Sequence, residues 1–313
     1  MTDQQISKRI ILAGGSGFLG TNLAHTLVDA GYEVIILSRG APKQGRWTTL
    51  NWDGQSIGDW AGAVDGAHAV VNFSGRSIDC LLTPENKKQV IDSRIDSTRV
   101  LGLSIERAAV KPSVWVQLSA VGIYGNKTGP LDETAEIGTG FLAEVCSQWE
   151  AAFRESCPDD VRQVVVRAGV VLGHDEAAFP KLAKIAKLGF GGAAGNGKQG
   201  MSWIHEDDMD GILRHAIEDE SMQGIYNGTA PNPASNKEFM RTLRRVVKMP
   251  FGPPAPAFMV RIGAKFVLKT NPDLALEGQY AHPKNLMDSG YPFEYPELQN
   301  ALTDLYQKMK NSK

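Results

Sequence analysis

The stretch Gly14-Gly15-Ser16-Gly17-Phe18-Leu19-Gly20 is the part of this sequence best suited to hold a reactive ligand. It follows a short apolar run, Arg9 to Ala13, and leads into Leu19, Leu23 and Leu27 at helical spacing, with Gly31 as the stop. In a strand–turn–helix unit one glycine allows the sharp turn and another lets the backbone approach a pyrophosphate. A third permits close packing of helix on strand. The helix N-terminus then offers free N–H groups and a partial positive charge to the phosphates. A tight turn without a ligand is the competing reading, and the strand–turn–helix context weighs against it.

The end of the next strand, Val34 to Leu37, sets which dinucleotide fits. An Asp or Glu there hydrogen-bonds the ribose 2′-hydroxyl of NAD. This chain has Ser38-Arg39 instead. An arginine pairs with a 2′-phosphate through charge-assisted bonds, and no carboxylate stands there to repel it. NADP(H) is therefore the expected cofactor; the bland alternative for Arg39 is a solvated loop cation.

Other chemistries are disfavoured. The 313 residues carry 33 Lys and Arg against 35 Asp and Glu, a net charge of -2, without the basic excess that nucleic acid requires. No run approaches the ~18 apolar residues of a membrane span, and the start lacks a signal-peptide layout. Neither nucleic acid nor a membrane is expected as a partner, and the expected location is cytoplasmic. Cys80, Cys146 and Cys157 are odd in number and form no C-x-x-C pair, against a disulfide framework or zinc site. His205 precedes Glu206, Asp207 and Asp208; acids at a helix start answer the helix dipole, and no metal is expected. There is no Gly-x-Ser-x-Gly elbow with a following acid and histidine, which argues against a serine hydrolase. Trp149 and Trp203 read as core residues.

The elements that position these residues alternate. Further strands are expected at Ala69 to Phe73, Val114 to Leu118 and Gln163 to Ala168. Thr83-Pro84 opens a helix to about Ala109, and another runs from Phe141 to Phe153. The pattern predicts an α/β fold: a Rossmann doubly wound parallel sheet with a smaller mixed C-terminal substrate domain. The expected division is residues 1–172 plus about 205–229 for the nucleotide domain, and about 173–204 plus 230–313 for the substrate domain. Gly189 to Gly200 reads as a loop, in which Lys198 either closes on an anionic substrate or is simply solvated. Ser235 and Glu238 have capping-box spacing, and Pro250 to Pro256 breaks regular structure before a final helical part.

With these motifs the chain resembles the extended short-chain dehydrogenase/reductases. The glycine loop matches, as do Asn72-Phe73-Ser74-Gly75 after the fourth strand, Leu118 to Gly125 after the fifth, and Arg167-Ala168-Gly169-Val170 to Gly173 after the sixth. It is more closely similar to atypical "epimerase family" proteins with a C-terminal domain of unknown function. The shared marks are Val145 to Glu150, Gly197 to Met209, Tyr226 to Pro233 and the tail from Gly278. The resemblance implies that these loops, with Leu118 and Ser119, line the cofactor. It also implies a monomer or a homodimer through the helices around 84–109 and 141–157.

Typical members carry a Tyr-x-x-x-Lys pair on the helix after the fifth strand. Here those positions fall on Leu142 and Cys146, and neither a leucine nor a neutral thiol replaces the pair. Ser119 matches the upstream serine and is a candidate for orienting a substrate oxygen, or else caps a strand. Tyr124 is the nearest phenol and a candidate acid, or else a packed ring. Cys146 is a candidate thiol or a small buried residue. Arg94 stands where typical members have asparagine; it supplies the lost positive charge to cofactor or substrate, or fills a structural role. Arg76 to Leu82 departs from the relatives' pattern. Two functions lead: an NADP(H)-dependent oxidoreductase or epimerase-like enzyme acting on an unidentified small molecule, and a non-catalytic NADP(H) sensor or scaffold; a weaker third is a structural interaction protein with a vestigial nucleotide fold.

Overall fold

Short runs rich in valine and isoleucine form strands because branched side chains pack well on a pleated surface, and runs apolar on both faces belong inside a parallel sheet. In the computed structural model, which describes residues 8–40, 44–176 and 178–312, seven strands, most of them such runs, pair. They are β1 (Arg9–Ala13), β2 (Glu33–Ser38), β3 (Thr48–Asn51), β4 (Ala69–Asn72), β5 (Val114–Ala120), β6 (Arg162–Ala168) and β7 (Gly224–Gly228). All pair in parallel, in the order β3-β2-β1-β4-β5-β6-β7. The fold is the expected Rossmann-like α/β architecture.

Helices cover both faces. On one, Leu23 and Leu27 of α1 (Phe18–Asp29) join the cluster under the sheet with Ile212 and Leu213 from a helix at Glu206–Glu218. On the other, α2 (Pro84–Arg107) contributes Leu101 and Ile105, and α3 (Phe141–Ser156) contributes Phe153, edge-on to Trp115 of β5 at 4.9 Å. Thr83 caps α2 by accepting from the Asn86 amide, with Pro84 in the first turn, as the sequence pattern implies.

Two strands of the seven-stranded sheet escape the sequence pattern. β3 is a four-residue edge strand with a single apolar side chain, and β7 is flanked by glycines; pairing, not propensity, makes them strands. The loop read from Gly189 to Gly200 is also shorter than expected. Ala186–Phe190 is a π-helical turn continuing α4 (Ala178–Ile185), and Gly200–Met201 pairs antiparallel with Ala234–Ser235. A further apolar cluster, with Phe179, Trp203, Phe239 and Leu302 at its centre, joins α4 to α6 (Asn236–Val246) and to the terminal helix Leu298–Asn311. The helix Glu206–Glu218 is α5. Ser235 caps α6 by accepting from the Glu238 amide.

His205 ties this cluster to the sheet side. It ends the strand Trp203–His205, accepts from the Asp207 amide as the cap of α5, stacks on Tyr295 with ring centroids 3.9 Å apart, and bonds Asp304 through Nε2 at 3.1 Å. Burial depresses its pKa from 6.5 to about 4, although Asp207 and Asp304 oppose the shift. The unfolded chain binds this proton at higher pH than the folded one. Stability from neutral His205 is thus complete above about pH 6.5 and declines as pH falls towards 4. Urea unfolding of His205→Gln is expected to show a smaller loss of midpoint across that window than the parent protein; an unchanged slope contradicts the assignment.

Candidate functional site

The strand order reverses between β1 and β4, and open parallel sheets bind ligands beyond the carboxyl ends of the strands at such a point. A cleft of about 760 Å³ opens there. The glycine turn forms one side. Gly14 has φ +69°, and a Cβ on it would lie 2.8 Å from Ser74 Cα, so glycine lets the turns after β1 and β4 meet. A Cβ on Gly20 would lie 2.3 Å from Gly15 Cα, so α1 can start hard against β1. Gly17 caps α1 without any side-chain hydrogen bond, and a Cβ there would enter open space. The first amides of α1 and the positive end of its dipole therefore face the cleft, an anion site made of backbone.

Gly14, Ser16, Gly17, Ser38, Arg39, Phe73, Ser74 and Gly75 all line the cleft. Ser38 donates to Ser16 Oγ at 3.0 Å and accepts from the Gly40 amide at 3.2 Å, which fixes the turn that carries Arg39. Arg39 is exposed and forms no ion pair among the described residues. Asn72 shapes the opposite wall. Its amide donates to Thr98 Oγ1 and Gln117 Oε1 while its Oδ1 accepts from the Ser74 amide. Ser74 Oγ is buried with no hydrogen-bond partner among the described residues. An orphaned hydroxyl, an uncapped helix and an unpaired arginine along one cleft fit the phosphates and ribose of a dinucleotide. Phe18 and Leu19 begin α1 beside the cleft, and Phe18 packs against Gly173.

The remaining candidates lie below the strand ends. Ser119 is buried and donates to Glu150 Oε1 at 2.8 Å. Arg167 pairs with both oxygens of Glu150 at 2.9 Å and donates to Tyr124 Oη at 3.0 Å. Tyr124 is fully buried and donates to Asn227 Oδ1 at 2.8 Å; burial pushes its phenol up. Burial opposes the charge on Arg167, but the bonds and field of Glu150 outweigh it and hold the guanidinium protonated. Ala168 ends β6, Gly169 donates to Gly228 O, and Val170 donates to Ser202 O with its side chain partly exposed at the sheet's end. Leu118 is half-buried on β5.

On α3, Leu142 packs by Gly122, and Cys146 is buried among Val121, Ile123 and Tyr124. Burial pushes the Cys146 thiol up to about 11 despite the nearby Arg94. Arg94 lies over Trp149 at 4.9 Å and against Gly75, and its Nη1 donates to the carbonyls of Arg76 and Val90 at 2.9 Å. It thereby pins the loop after β4. Across the molecule, Lys308 Nζ sits between Asp207 and Asp304 at 2.7 and 3.0 Å, so an ammonium already balances the carboxylates beside His205.

Sequence reasoning missed several residues. Asp53, whose Oδ1 accepts from the Gln55 and Ser56 amides, lines the cleft after β3, with Gln89, Asp92 and Ser93 from α2. Arg167, expected at the cofactor, instead pairs with Glu150 in the interior and is absent from the cleft lining; that pairing was also missed, although it carried a signal. Glu150 falls on the apolar face of α3, and Arg167 interrupts the apolar run of β6. Charges of opposite sign on two buried faces require each other.

This geometry defines a dinucleotide-binding Rossmann protein. The chain belongs to the NAD dependent epimerase/dehydratase family, whose model matches residues 10–227; a domain of unknown function (DUF1731) matches residues 255–305. It is 36% identical over 304 residues to the human epimerase family protein SDR39U1, covering 95% of this chain and 99% of that one. It is 34% identical over 305 residues to the epimerase family protein YfhF of Bacillus subtilis (strain 168), covering 95% and 97%. The crystal structure of human SDR39U1 (isoform 2) with NADPH superposes with a TM-score of 0.86 at 33% identity, over 96% of this chain and 99% of that chain.

Removing one member of the interior pair leaves the other charged and buried. Glu150→Ala is expected to lower unfolding free energy by about 3–5 kcal/mol. Replacing both residues with methionine is expected to cost less than Glu150→Ala alone. Urea titrations check this, and a loss under about 1 kcal/mol for Glu150→Ala contradicts it.

Proposed function

We propose that this chain is an NADP(H)-dependent oxidoreductase or epimerase-like enzyme that acts on a small carbonyl or alcohol substrate. The observation that carries the reading is the uncapped N-terminus of α1 at a cleft where Arg39, rather than a carboxylate, follows β2. The NADPH in the human relative's crystal structure supports the same choice. Backbone at Gly14, Ser16 and Gly17 would hold the pyrophosphate, Ser38 and Arg39 the 2′-phosphate, and the turn from Phe73 to Gly75 the central part of the dinucleotide. Bound there, the dinucleotide supplies a hydride donor or acceptor.

The chain's own residues then constrain how a proton moves. Ser119 donates its hydroxyl hydrogen bond to Glu150, so towards a substrate its oxygen accepts, which suits a hydroxyl group. Tyr124 keeps its proton and donates it as a hydrogen bond to Asn227 Oδ1. Cys146 stays a neutral thiol near pH 7. Water therefore carries the proton in this scheme, in place of the tyrosine of a Tyr-x-x-x-Lys pair. The same observation favours a second reading, a non-catalytic NADP(H) sensor. Such a protein must hold a partner differently in the NADPH and NADP+ states, and equal partner binding in both states sinks that reading.

Arg39→Ala tests the assignment. Loss of charge-assisted bonds to a 2′-phosphate is expected to weaken NADPH about ten- to a hundred-fold by calorimetric titration. NADH affinity should change little. An equal loss for both nucleotides, or none for NADPH, is incompatible with Arg39 as the phosphate partner.

A further inference from the structure

The charges of this chain are unevenly placed. Residues 178–205 and 239–272 contain eleven Lys and Arg and no Asp or Glu, in a chain whose total is 33 to 35. The structure brings parts of these segments together. Ala194 bridges Ala255, Arg244 Nη1 donates to Gly191 O at 2.7 Å, and Gly189 lies against Phe251. The joint surface is both basic and apolar.

Its most prominent part is the helix Ala257–Ile262, continued by a π-helical stretch Gly263–Leu268. Phe258, Ile262 and Phe266 follow each other at intervals of four. Arg261, Lys265 and Lys269 do the same one residue earlier in the turn or beyond it. That spacing makes an apolar stripe beside a basic stripe. The helix Ala257–Ile262 has no buried residue. Phe190, Phe251, Phe258, Ile262 and Phe266 are 55 to 70% exposed, and Lys184, Arg261, Lys265 and Lys269 are exposed with them. Large apolar side chains concentrated in this way mark an interaction surface.

We infer that this face docks peripherally on an anionic phospholipid surface, with the helix lying in the plane of the interface. Two physical arguments select this occupant. The apolar side chains protrude, and a fluid acyl boundary accepts protruding phenylalanines while lysine and arginine stems reach out to headgroups. A protein partner would need matching pockets. A second copy docked by the same face would set basic rim against basic rim. Among the described residues no helix is long and apolar enough to cross a membrane, which does not bear on this mode, because an interfacial helix needs only one apolar face.

Co-sedimentation of the full-length protein with phosphatidylcholine vesicles, with and without one third phosphatidylglycerol, tests the inference. Binding is expected to the anionic vesicles, weaker at high salt, and little to phosphatidylcholine alone. Phe258→Ser with Phe266→Ser, and separately Arg261→Glu with Lys265→Glu, are each expected to lower partitioning at least about ten-fold. Melting temperature and NADPH affinity should stay at parental values, since these side chains are exposed and do not line the cleft. No binding to the anionic vesicles overturns the inference. So does equal binding to both vesicle types, equal binding by both variants, or a dimer in sedimentation that these substitutions dissolve.

Discussion

The close approach of α1 to β1 is the constraint on which the site depends. A methyl group on Gly20 would lie 2.3 Å from Gly15 Cα, and one on Gly14 would strike Ser74. Because both positions are glycine, the helix begins directly above the strand end and the turns after β1 and β4 touch. With Gly17 as a bare cap, the amides of Phe18, Leu19 and Gly20 ahead of the first intrahelical bond (Thr21 to Gly17 O) have no side-chain acceptor among the described residues. Fold and anion site are thus one feature. The chemistry that lets the helix pack also leaves its positive end uncovered at the sheet's switch point.

The interior beneath the cleft has a different logic. Glu150 and Arg167 form a buried pair that draws in Ser119 from β5, Tyr124 from the turn after it and Asn227 from β7. Asn227 in turn donates from its side chain to His282 O and from its backbone amide to the Glu133 carboxylate, which binds the C-terminal segment to the sheet. Every member has a partner. Such a network is rigid when complete and costly when broken. It also places two side chains that resemble catalytic candidates, Ser119 and Tyr124, within the framework of the fold.

Much of this was legible from residue order. Leu19, Leu23 and Leu27 mark α1, Thr83-Pro84 opens α2, and Ser235 with Glu238 opens α6, because caps and helical stripes are local features. Eight of the residues singled out for the cofactor, from Gly14 to Gly75, line one cleft. What escaped was decided by distant partners. β3 and β7 have weak local patterns and owe their form to neighbours in the sheet. Asp53 enters the cleft only because β3 pairs with β2. Tyr124 meets Asn227 across 103 residues of chain. Local spacing holds no record of such meetings, although a charge on the apolar face of α3 and another in the apolar run of β6 were usable hints for Glu150 and Arg167.

Hydrogen–deuterium exchange with and without NADPH tests most directly whether the bare end of α1 is the dinucleotide site. The account predicts slowed exchange at the amides of residues 14–20, 38–40 and 73–76, where backbone meets the cleft. Unchanged exchange in all three turns at saturating NADPH, or protection confined to another part of the molecule, would contradict it.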